Sequence, residues 1–180
     1  MKPLNSNSFL QAWISTVESK KEILQNDWRN AKAFTTLVKG CEDSIMTEVA
    51  KQLELKCYAK DYYSIDTILY DDEDLVPGIP EKSFWFRQIK VAFEHENFFG
   101  AGLYQEVAHL LLINSDLKVL VTYPSGDETD RMEKLHSIIK GCNQQKVLSD
   151  RENFLVILGY ETNFQWEAFA YKEDKWNKIM

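Results

Sequence analysis

The chain reads as an α/β protein of the α+β kind, with a mixed central β-sheet flanked by helices and preceded by N-terminal helices. Three features predict this. Up to about residue 55 the apolar residues recur at helical spacing. From Lys56 onward, runs of aromatic and β-branched residues take over, as strands favour. Later, the almost continuous apolar stretch Leu117–Thr122 lies between two helical patterns, the signature of a strand covered on both faces.

Taken in order, Ser8-Phe9-Leu10-Gln11 fits a capping box, and Phe9, Trp13, Val17 and Leu24 predict a first helix from about Ser8 to Gln25. Trp28, Ala31, Phe34, Leu37, Val38 and Cys41 form a second helical stripe, bent or broken at Gly40. Ile45, Val49, Ala50 and Leu53 continue as a shorter helix. Cys57 to Asp61 and Tyr62 to Tyr70 read as strands. The acidic run Asp71-Asp72-Glu73-Asp74, followed by Pro77-Gly78 and Pro80, reads as an exposed turn. It lacks the ligand alternation and glycine placement of a calcium loop.

Phe84 to Glu96 predicts a long strand, and Gly100-Ala101-Gly102 opens a helix carrying Leu103, Val107, Leu110 and Leu111. After the Leu117–Thr122 strand, Pro124 ends the run and Asp127 caps a helix with Met132, Leu135, Ile138 and Ile139, stopped at Gly141. Phe154 to Leu158 is a buried strand and Gln165 to Tyr171 a final one. Helices, three strands, helix, strand, helix and two strands call for a mixed sheet with helices on its faces. With no repeat and no linker, 180 residues predict one domain: a helical part over 1–55 and a sheet core with helices over 56–180.

Composition narrows the function classes. The aromatic content of 13%, with five Trp, argues against disorder. No apolar run suits a membrane span and the first residues carry no signal-peptide core, so a cytoplasmic protein with no membrane partner is expected. Cys41, Cys57 and Cys142, like His95, His109 and His136, are too dispersed for a structural zinc site or a disulfide framework. The net charge of -7 provides no general attraction for nucleic acid. Lys20, Lys21, Lys51, Lys56 and Lys60 would form a basic face only if gathered; as solvated lysines they need no partner.

The most informative segment is Val91-Ala92-Phe93-Glu94-His95-Glu96-Asn97. Period-two geometry puts Glu94 and Glu96 on one strand face, with Lys90 further back and the small Ala92 between. Two neighbouring carboxylates repel unless a proton or cation lies between them, and a divalent metal resolves that conflict. The third acid is Asp66, set among apolar strand residues where an unpaired carboxylate would be costly. If its strand is the antiparallel neighbour of the Glu94 strand, the two acids meet. His95 alternates to the opposite face, where a packed or hydrogen-bonded histidine is expected.

With helix, strands bearing Asp66 and Glu94-His95-Glu96, helix and buried strand, roughly Glu42 to Tyr123 resembles the restriction-endonuclease-like, or PD-(D/E)XK, superfamily. In that family an acid on one core strand and an acid-x-Lys pair on the next hold the metal and activate water. Asp66 and Glu94 match the two acids. Glu96 stands where most members have Lys, making this a Glu-x-Glu variant, and Ile65 stands where Pro is common.

The resemblance implies a restriction-endonuclease-like fold and hydrolysis of DNA phosphodiesters. Asp66, Glu94, Glu96 and the His95 backbone carbonyl would be ligands of Mg²⁺ or Mn²⁺. Glu96 would be a further ligand or the base that orients water. Glu48 is the candidate for an upstream helical acid, and Gln105 or Glu106 would line the site. A homodimer would suit cleavage of two strands. The competing expectation is a catalytically inactive protein of the same fold, acting as an interaction or nucleic-acid-associated subunit. A small-molecule binding domain has no motif behind it, and the acids are equally consistent with a solvated strand end and a turn.

Overall fold

The computed structural model describes residues 3–40, 42–100, 102–124 and 129–180. The expected contributions of Cys41 to the helical stripe, Ala101 to a helix start and Asp127 to a helix cap lie outside the described residues. Helix α1 spans Ser6–Ser19, α2 Lys21–Asp27, α3 Ala31–Thr35 and α4 Ile45–Gln52. Asn5 caps α1, not Ser8: its Oδ1 accepts from the Ser8 amide at 2.9 Å, while the Asn5 amide donates to the Ser8 hydroxyl at 3.0 Å.

The single helix expected over 8–25 is divided at Lys20. Just before the break, Thr16 and Ser19 donate their hydroxyls to the carbonyls of Ala12 and Thr16, bonds that compete with regular helix. The expected bend at Gly40 takes the form of a π-helical turn over Thr36–Gly40 that follows α3 directly.

The sheet is mixed and has seven strands: β1 Lys56–Tyr58, β2 Thr67–Tyr70, β3 Val91–Glu96, β4 Leu117–Thr122, β5 Phe154–Tyr160, β6 Gln165–Lys172 and β7 Lys175–Lys178. Their order across the sheet follows the chain. Strands β3, β4 and β5 are parallel, and the remaining pairs are antiparallel. Helix α5 (Gly102–Leu112) makes the first parallel crossover; α6 (Thr129–Ile139) and α7 (Gln145–Arg151) make the second. Alternation separates two cores. Phe93, Val119, Val121 and Ile157 pack on Phe9, Trp13, Val17 and Val49 of the N-terminal helices. On the other face, Ala92, Leu120 and Val156 meet Leu103, Val107, Leu135 and Ile139. Among the described residues no helix is long and apolar enough to cross a membrane.

Two expected strands are shorter than their hydrophobic patterns. Before β2, Tyr62 and Ile65 exchange backbone hydrogen bonds around Tyr63 and Ser64, whose φ angles of 52° and 67° make a tight left-handed turn. Residues 84–90 run irregularly into β3, and Phe84 and Phe86 pack with Tyr58 and Tyr70 instead of extending the ladder. The acidic run is only partly solvated. Asp74 is 3% exposed and accepts from the Asp71 amide at 2.8 Å, with Lys90 Nζ at 3.4 Å. Helix α7 and strand β7 were not legible in the sequence. Helix α7 buries only Leu148 and Ser149, and the turn into β7 uses Glu173 and Asp174 at positive φ where Asn-Gly or Asp-Gly would announce a hairpin.

Lys118 is the unexpected member of the buried strand β4. It is 2% exposed and directs its ammonium to the carbonyl of Ile113, just beyond α5, and to Ser115 Oγ at 3.2 Å. Burial pulls its pKa from 10.5 down to about 8. Between those values the unfolded chain binds the extra proton, so this group adds stability as pH rises from 8 to 10.5. The difference in urea-unfolding free energy between wild type and Lys118→Met should therefore move in favour of wild type over that window, by roughly 3 kcal/mol. A pH-independent difference would refute the burial of an ammonium here.

Candidate metal centre

The antiparallel ladder between β2 and β3 ends at the pair Thr67 and Phe93. One step further, side chains replace the backbone bonds. The His95 amide donates to Asp66 Oδ2 at 2.9 Å, and the Asp66 amide donates to Glu94 Oε2 at 3.3 Å. Two N–H groups that the ending ladder would leave unpaired thus fix two carboxylates against one another. Asp66 and Glu94 come together through the antiparallel pairing of β2 with β3, the condition on which their meeting depended. Lys39, from the π-helical turn, closes the outer side with an ion pair to Asp66 Oδ1.

Helix α5 covers the face of β3 that carries Glu94. Glu106 and His109 are one turn apart on it and therefore share a face. His109 Nδ1 lies 3.7 Å from Glu94 Oε1 and 3.4 Å from Glu106 Oε2. One ligand atom from each of these three residues falls within 4.8 Å of the others. Glu94 is 1% exposed, and its Oε1 and the facing His109 Nδ1 are both buried without a hydrogen-bond partner. Burial, reinforced by the negative charges of Asp66 and Glu106, pushes the Glu94 carboxyl far above the usual carboxylate range. Burial also raises Glu106, an effect that His109 opposes. In the metal-free protein Glu94 accordingly retains a proton; a divalent cation could occupy that position, and the buried, unpaired Glu94 Oε1 and His109 Nδ1 fit one.

Glu96 shares a strand face with Glu94 but does not join the cluster. Its Oε1 accepts from the Phe98 amide at 2.9 Å, and its Oε2 lies against the first turn of α5, where a Cβ on Gly102 would approach to 3.0 Å. That place suits a carboxylate, since a helix N-terminus favours negative charge. His95 is on the opposite face, as expected. Its Nε2 is 2.9 Å from the Tyr123 hydroxyl, its ring packs beside Phe34, and burial with the nearby Lys39 charge lowers its pKa to about 3. It is therefore a neutral packing residue near pH 7. Its carbonyl belongs to β3, in register with Val121.

Three supporting residues are placed elsewhere. Lys90 precedes β3 and pairs with Asp74 and Asp116 at the other end of the strand, four residues from Glu94 in sequence. Glu48 pairs with Lys51 on the surface of α4 at 2.7 Å. Gln105 is exposed, because the helical turn directs Glu106 inward in its place. His109 and Lys39 were missed. The Glu106-x-x-His109 spacing was a usable signal, whereas nothing local distinguishes Lys39 from a solvated lysine. The apolar pocket of about 460 Å³ between α6, β6 and β7 shares no residue with this cluster. No protein-family model and no curated protein matches the chain.

The raised Glu94 carboxyl has a direct consequence in the metal-free protein. Above the ordinary value of 4.5 the folded state holds a proton that the unfolded state has released, so stability falls as pH rises from there toward the raised folded value. Glu94→Gln, which carries the equivalent of that proton permanently, should flatten this decline in thermal melts recorded in EDTA. An identical pH profile for variant and wild type would show that Glu94 is ionised without a cation.

Proposed function

We propose that this protein is a metal-dependent nuclease that hydrolyses DNA phosphodiester bonds at a centre built on Asp66, Glu94, Glu106 and His109. The support is the convergence of two acids and an imidazole, Glu94, Glu106 and His109, with the Glu94 and His109 ligand atoms buried and unsatisfied and Asp66 bonded to Glu94 through its amide. The order of helix α4, the meander β1–β2–β3, helix α5 and parallel β4 also agrees with the restriction-endonuclease-like resemblance.

Glu94, Glu106 and His109 would hold the ion, and the imidazole favours Mn²⁺ over the more strictly oxygen-seeking Mg²⁺. A divalent ion in that place supplies Lewis acidity, lowering the pKa of a bound water and offsetting charge on phosphate oxygens. Asp66 orients Glu94 through its own amide, while Lys39 brings a cation to the outer carboxylate. Lys39 thus provides a positive charge beside Asp66 that can meet a phosphate. DNA is the partner on this reading, and a homodimer would present one centre to each strand.

A second reading, a catalytically inactive protein of the same fold serving as an interaction or nucleic-acid-associated subunit, is favoured by Glu96. Its carboxylate is engaged by the Phe98 amide and is not directed at the other acids.

Calorimetric titration with Mn²⁺ and cleavage of plasmid and single-stranded DNA separate the two. The nuclease should bind Mn²⁺ and cut. Glu94→Gln and His109→Ala should lower metal affinity by at least about tenfold and abolish cleavage. Metal binding without cleavage favours the second reading, and cleavage unchanged by Asp66→Ala and Glu94→Ala removes the site assignment.

A further inference from the structure

Across the carboxyl ends of β3, β4 and β5 runs a cleft of about 670 Å³, lined by Trp28, Asn97, Phe98, Tyr123, Glu161 and Thr162 among others. Its volume is in the range, roughly 300–1,000 Å³, that accepts a ring system with its substituents. A smaller depression of about 240 Å³ shares Trp28, Asn97, Phe98 and Tyr123 with it. Trp28 and Tyr123 belong to an aromatic cluster, their rings 5.3 Å apart and edge to face. Phe98 does not. It is 73% exposed and, among the described residues, stacks on no other ring. An exposed phenyl ring on a cleft rim loses apolar contact for no structural gain, and a planar partner can restore that contact.

We propose that this cleft receives an unpaired nucleobase, with Phe98 as its stacking platform, so that the substrate is single-stranded or locally unpaired nucleic acid. The inference rests on the nuclease reading and specifies its substrate. The connection is one of chain geometry. Glu94 and Phe98 lie within five residues on the segment that leaves β3, so the carboxylate centre and the ring are held by one short stretch of chain. A base and its phosphate are only a few bonds apart. A strand with its phosphodiester near Asp66 and Lys39 would present its base to Phe98 only if that base is free of a duplex stack.

The polar lining suits base edges, which carry both donors and acceptors. Asn97 uses its Nδ2 on Thr35 at 2.8 Å, which leaves its carbonyl oxygen for a base donor, and Thr162 is exposed. Arg29, with a side chain 87% exposed, is held to Glu161 by a surface ion pair of the kind that exchanges readily for a phosphate. These features allow an acidic chain to engage one strand without the broad basic face that duplex binding requires.

Fluorescence anisotropy in EDTA tests the inference, using a labelled oligothymidylate, an oligouridylate and a DNA duplex of equal length with the full chain. Either single strand should bind more tightly than the duplex. Phe98→Ala should weaken single-strand binding roughly tenfold and leave the duplex unchanged, and Phe98→Trp should restore it. Equal affinity for strand and duplex, no binding of either, or an unaffected Phe98→Ala protein would overturn the proposal. Mn²⁺ calorimetry on the same proteins reports the carboxylate centre separately. Retained heat with unaltered strand affinity defeats the stacking inference alone, whereas wild type without heat defeats the nuclease reading.

Discussion

Glu94 is a carboxylate at 1% exposure with Asp66 on one side and Glu106 on the other, and such a group persists in a fold only if its surroundings supply a proton or a cation. The elements around it are arranged accordingly. The β2–β3 ladder stops one step early, so that two backbone amides bond to carboxylates instead of carbonyls. Helix α5 crosses with Glu106 and His109 facing the acid, and the π-helical turn at Thr36–Gly40 carries Lys39 to the outer edge. Each contact is modest. Together they hold a like-charged group that water would otherwise disperse.

The site is at the carboxyl ends of the parallel strands for a geometric reason. Both crossovers, through α5 and through α6 and α7, cover one face of the sheet, so Glu94 is enclosed beneath α5 while the cleft opens beyond the ends of β3, β4 and β5. Side chains shape its floor. A Cβ on Gly159 would come within 2.8 Å of Tyr123 and 2.7 Å of Trp166, so only glycine lets the aromatic floor close against β5. The same packing buries His95 in neutral form and separates it from the chemistry that its place between two glutamates suggests.

Lys39 and Glu96 show how packing distributes charge around the carboxylates. Glu96 settles beside the first turn of α5, where the helix dipole and the Phe98 amide accommodate it. A cation reaches Asp66 from a different element altogether.

Sequence alone determined the mixed sheet with its flanking helices, the bounds of β4 to the residue and the packing role of His95. These follow from period and from burial pattern. Tertiary structure decided the rest. Lys90 and Glu48 were drawn to other partners because an ion pair forms wherever a counter-charge is nearest, and that is a distance through space. His109 and Lys39 reach the site from a crossover helix and a π-helical turn whose directions are set by packing against the sheet. Glu94 and Glu96 share a face by alternation, yet only the course of α5 above them sends one into a cluster of acids and leaves the other at a helix end.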